Sequence, residues 1–118
     1  MSKLRAAWVC PCVGVGGADA YMLGLIRYCE NIEWTGVAVE RYTTLKQWEW
    51  VKKMGVTVPF HQIQEKQRST FSGIHYHENA ATAAYNAAKD ADIVIVWCAE
   101  RFHNHGLEVL DKPIVELT

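Results

Sequence analysis

Trp8-Val-Cys-Pro-Cys-Val-Gly14-Val-Gly16-Gly17-Ala-Asp19-Ala-Tyr-Met-Leu23 joins an apolar run to a glycine-rich turn, and the turn to a helical pattern. The apolar run starts at Leu4 and is nearly continuous through residues 4–13, the pattern of a strand covered on both faces. Pro11 falls near its end, where a missing N–H is tolerable. From Asp19 to Cys29, the side chains Tyr21, Met22, Leu25, Ile26 and Cys29 recur at helical spacing, and Leu23 and Gly24 broaden the stripe. A strand, a glycine turn and a helix N-terminus in succession form a site for anions. The first helical N–H groups lack intrahelical acceptors, the positive end of the dipole faces the turn, and glycines let main chain approach a phosphate. Gly14, Gly16, Gly17 and Asp19 are therefore the candidate ligand loop.

The rest of the chain repeats this alternation. Trp34 to Val39 reads as a second buried strand ending at Glu40. Residues 43–54 read as a helix opened by a threonine cap and closed by Gly55. Val56 to Phe60 is a short strand near a proline, and residues 61–73, polar and poorly periodic, are expected as a mobile loop. An alanine-rich helix over 78–89 is thin enough to lie close against a sheet. Ala91 to Trp97 is a buried, β-branched strand, residues 101–110 are a short helix or loop, and Lys112 to Leu117 is a last strand. Strands alternating with helices imply right-handed βαβ units. The expectation is a single α/β, Rossmann-like domain over residues 1–118. It has three layers: a mainly parallel sheet of about five strands, with helices on both faces.

Composition narrows the partners. Twelve basic against thirteen acidic side chains leave a net charge of -1, which speaks against nucleic acid or an anionic membrane held by bulk charge. No run has the length of a membrane span. Cys10, Cys12, Cys29 and Cys98 lie in apolar or helical runs, where a thiol behaves as a small hydrophobe, so a reducing, cytoplasmic setting is expected. Lys3, Arg5 and the small-x-small Ala18-Asp19-Ala20 imitate an export signal. Pro11 and the glycines interrupt it, and cleavage there would remove the leading strand.

Each chemical motif has a plainer counterpart. The glycine loop matches the dinucleotide fingerprint only in part, because Asp19 stands where a third glycine would let helix and strand pack closely. The plainer reading is a tight turn whose aspartate compensates the helix dipole. Glu40 lies where dinucleotide domains place a ribose-binding acid, and it also marks a strand emerging into water. The histidines come as His61, His75-x-His77 and His103-x-His105. On a strand, a His-x-His pair points both imidazoles to one face and can ligate zinc with a third ligand. Neither pair sits beside a cysteine or carboxylate at a recognised spacing, so no metal is expected. His75, His77 and His103 are instead read as rim residues, one of them a possible general base. Cys10-Pro11-Cys12 lacks redox spacing and reads as packing. Trp48 and Trp50 cannot share a helix face, which leaves one to pack and one half exposed.

The order of these pieces resembles the N-terminal half of a two-Rossmann-domain (GT-B) glycosyltransferase of the group-1 family. The matching residues are Gly14-Val-Gly-Gly17-Ala-Asp19, Leu23-Gly-Leu-Ile-Arg27-Tyr, Ala91-Asp-Ile-Val-Ile-Val-Trp97 and Lys112-Pro-Ile-Val-Glu-Leu117. The resemblance implies that Gly16 and Gly17 face the diphosphate or sugar of a nucleotide-sugar donor, with Asp19 where the family often has glutamate. Glu40 would then lie toward ribose or acceptor. It implies no resident cofactor, a sugar acceptor bound on this side of the cleft, and a second Rossmann-like domain or another copy completing it. It also implies that this half alone transfers no sugar at a useful rate, because the cleft needs both walls. Two alternatives stand beside it: a stand-alone nucleotide- or phosphate-binding module using Gly14 to Gly17 with Glu40, and a non-enzymatic assembly domain docking through Trp48 or Trp50.

Overall fold

The computed structural model describes residues 3–10, 17–39, 45–63, 74–97 and 111–117. Six strands form one sheet: β1 (Leu4–Cys10), β2 (Ile32–Val39), β3 (Phe60–Ile63), β4 (Ile74–His77), β5 (Ile93–Trp97) and β6 (Ile114–Leu117). Their order is β4-β3-β2-β1-β5-β6, and every neighbouring pair is parallel. The helices are α1 (Gly17–Tyr28), α2 (Leu45–Lys53) and α3 (Ala80–Ala88). The fold is α/β and compatible with a single Rossmann-like domain, with six strands rather than the expected five.

Two apolar layers flank the sheet, because alternate residues of each strand point to opposite faces. Trp8, Cys10, Val37, Val39 and Phe60 pack with Met22 and Leu23 of α1 and with Trp48 and Val51 of α2. On the other side Ala7, Val9, Ala38, Val94 and Val96 pack against Ala84, Ala87 and Ala88 of α3. Right-handed crossovers account for the division: α1 and α2 link strands advancing in one direction, and α3 links β4 back to β5.

The alanine helix comes as close as the sequence suggested, and β2 is shaped to admit it. The register slips between Ala6 and Ala7, so that Ala6 pairs with Trp34 and Ala7 with Gly36. Thr35, passed over by the ladder, donates its hydroxyl to the Ala87 carbonyl at 2.8 Å. A Cβ on Gly36 would lie 3.0 Å from the Ala87 Cα. Asn79 opens α3 by accepting the Thr82 N–H at 2.9 Å, as an N-cap should. At its other end the Lys112 ammonium donates to the carbonyls of Ala88, Lys89 and Ala91 at 2.5–3.0 Å. Those acceptors include ones a helix C-terminus leaves unsatisfied.

Two expectations are corrected. The strand placed at 56–60 begins instead at Phe60, and the preceding residues run irregularly from Gly55, whose φ of 73° ends α2. Val56 and Val58 owe their apolar character to packing against the α1–α2 layer, while pairing with β2 starts at the Pro59 carbonyl. The expected loop at 61–73 loses residues 61–63 to β3, and residues 74–77 form a strand that no apolar run announced. Residues 64–73 and the segment 101–110 lie outside the described residues.

Candidate functional site

The chain advances from β1 outward to β4, then returns to lay β5 on the other side of β1. The order therefore reverses between β1 and β5. In open α/β sheets, a crevice at the carboxyl ends of the strands at such a reversal is where ligands bind. β1 lies inside the sheet, and all of Ala6, Ala7, Trp8 and Val9 are fully buried. The glycine-rich segment follows this strand in sequence: Cys10 is the last residue of β1, and Gly17 is the first residue of α1. The Cys10 thiol donates to the Ala38 carbonyl at 3.7 Å and so ties the strand end to β2.

The expected site residues are distributed as follows. Gly14 and Gly16 lie outside the described residues, between β1 and α1. Gly17 and Asp19 occupy the first turn of α1. Glu40 follows the last residue of β2 and lies outside the described residues, as do His103 and His105. His75 and His77 belong to β4, which is separated from β1 by two strands. They are not on a strand adjacent to β1.

What the sheet brings together instead is His61, His75 and His77. The β3–β4 ladder pairs His61 with His75 and Ile63 with His77. All three imidazoles share the α3-facing side, opposite Phe60 and Ile74. His61 Nδ1 and His77 Nε2 are 2.8 Å apart, one donating and the other accepting. The centroid of the His61 ring lies 4.9 Å from that of His75 and 5.0 Å from that of His77, with planes nearly parallel. Burial, reinforced by the neighbouring histidines and Lys89, pushes His61 down to about 4. Burial and then His75 lower His77 as well. At neutral pH the hydrogen-bonded pair is uncharged.

Sequence reading missed this cluster because it placed His61 in a loop. The available signal was the period-two spacing of His75-x-His77, which invited a third histidine from an adjacent strand. Gln62 was missed as well. Its side chain is fully buried, and neither its Nε2 nor its Oε1 has a hydrogen-bond partner among the described residues. Trp48 is buried and packs edge-on against Phe60 with centroids 5.0 Å apart, whereas Trp50 is partly buried. Trp48 is therefore no docking residue. No described helix is long and apolar enough to cross a membrane. No protein-family model, curated protein or solved structure matches this chain.

Proposed function

We propose that this chain is a nucleotide-recognising α/β domain that takes the phosphates of a nucleotide or nucleotide-sugar at the β1–α1 turn. The observation that carries the reading is topological: the glycine-rich segment leaves an interior strand beside the point where strand order reverses. The start of α1 immediately afterwards supplies N–H donors and a positive dipole end. Gly14, Gly16 and Gly17 give a phosphate close access to main chain, and Glu40, following β2, is placed in sequence to meet a ribose hydroxyl. The near-neutral net charge suits a small anion bound locally.

A narrower form of the proposal is the acceptor-side half of a glycosyltransferase cleft. Its support is the order of loose motifs along the chain, and it needs a second Rossmann-like domain or another copy as the opposite wall. In that form the donor is a nucleotide-sugar, the second substrate is a sugar acceptor, and the chain alone is inactive. A cytoplasmic setting belongs to the same proposal, through the buried Cys10 thiol.

Titration calorimetry of the whole chain with UDP, UDP-glucose, ADP and NAD tests the general form. Saturable heat is expected for at least one of them, lost in Gly16→Val with unchanged circular dichroism. Absence of heat with all four would overturn the proposal. Sugar transfer by the isolated chain would overturn the narrower form alone.

A further inference from the structure

We propose that the hollow at the amino ends of β2 and β3 binds a small monocarboxylate, held by the guanidinium of Arg27. The hollow has a volume of about 330 Å³, at the small end for ligand sites, and its lining includes Arg27, Ile32, Trp34, Gly55, Thr57 and Pro59. Ile32 opens β2 and Pro59 immediately precedes β3, so the hollow lies at the opposite end of the strands from the glycine-rich segment. α1 has 12 residues, with Gly17 at its start and Arg27 in its last turn, a separation of roughly 15 Å along the helix. The proposed carboxylate and the proposed nucleotide therefore occupy separate places.

Arg27 is held in place with donors to spare. Its Nη1 donates to the Met54 carbonyl at 2.8 Å, and its Cζ lies 5.0 Å from the centre of the Tyr28 ring. Gly55 lies against it as well, since a Cβ there would stand 3.3 Å from the same Cζ. These contacts fix the guanidinium before any ligand arrives, which lowers the ordering cost of binding. A guanidinium carries five N–H donors in a rigid fork. Among the described residues no acceptor meets its Nε and Nη2 groups, and no carboxylate pairs with it. Glu33, between Ile32 and Trp34, projects to the opposite face of β2. α1 and α2 both end beside the hollow, and Arg27, Lys52 and Lys53 in their last turns offset the negative dipole ends. The balance suits one negative charge rather than a phosphate dianion, and a carboxylate offers the fork two coplanar oxygens. The exposed Thr57 contributes a hydroxyl at the same lining for a polar group on the ligand.

Amide shifts of the whole chain are followed by NMR at constant ionic strength during titration with acetate, with pyruvate and, separately, with inorganic phosphate. Saturable shifts at Arg27, Gly55 and Thr57 are expected for at least one of the two carboxylates. Phosphate should need a concentration at least about tenfold higher to move the same amides. Arg27→Met should weaken carboxylate binding by at least about tenfold. Thr57→Val changes an exposed side chain and should weaken it several-fold, which keeps the test open should Arg27→Met fail to fold. Three results would each overturn the site: no saturable shift with either carboxylate, phosphate binding as tightly or more tightly, or parent affinity in the folded variants. Nucleotide binding at the β1–α1 turn is read at other amides, so each proposal can fail without the other.

Discussion

Gln62 and His61 are consecutive residues of β3 that face opposite layers, and each sets a measurable consequence. A buried amide without partners costs about 1–3 kcal/mol through lost hydration. Gln62 sits beside Val39 and Tyr76 in the ladder, under the apolar layer of α1 and α2. Gln62→Met is therefore expected to raise the urea midpoint, by about 1 kcal/mol of stability. A lowered midpoint would mean that the amide has a partner in the folded chain. His61 gives a pH dependence whose sign is fixed. Its folded-state value of about 4 lies below the 6.5 of a free imidazole, so the unfolded chain binds the extra proton between those values. Stability is then full above pH 6.5 and falls as pH drops toward 4. The loss is on the order of 1–2 kcal/mol once solvent screening is allowed for. Denaturant titrations at pH 7 and pH 4.5 check this, and His61→Gln should flatten the slope. Asp92, whose carboxyl is held low chiefly by the Arg5 N–H, loses its contribution in the same direction only at more acid pH.

The element on which the packing argument rests is α3. Its alanines leave no bulk between helix axis and sheet, so a single added methyl on β2 has nowhere to go. Gly36→Ala would place Cβ 3.0 Å from the Ala87 Cα and 3.1 Å from its carbonyl oxygen, both main-chain atoms. A loss of about 1–3 kcal/mol is expected from thermal or urea unfolding. Lys112→Met keeps most of the stem but removes the ammonium from the carbonyls of Ala88 and Lys89 at the end of α3 and of Ala91 beyond it. A loss of about 1–2 kcal/mol is expected, reduced little by salt because the site is partly buried. The alanine run and the β-branched run at 93–97 made this layer readable from sequence. The β3–β4 pair was not readable. Its histidines lie on the α3-facing side and stack on one another while Gln62 points into the opposite layer, which no local pattern encodes. The sixth strand was lost with it.

At the scale of the molecule, strand order turns a list of motifs into a site. Sequence periodicity supplied a leading strand, a glycine turn and a helix, but not the placement of β1 inside the sheet beside the reversal of order. The histidine cluster lies on β3 and β4, with β2 between its nearest member, His61, and that strand. A different hollow, of about 330 Å³, is lined by Arg27, Trp34, Gly55 and Pro59 beside the α2–β3 turn, far from the carboxyl ends of the strands. It offers a clear contrast for a direct test. Amide chemical shifts of the whole chain are followed by NMR as a nucleoside diphosphate is added. Shifts concentrated at Cys10, Gly17 and Trp97, at the carboxyl ends of β1 and β5 and the start of α1, are the expected result. Silence at those amides, or shifts centred on Arg27, Gly55 and Thr57, would contradict the placement of the ligand on which the functional reading stands.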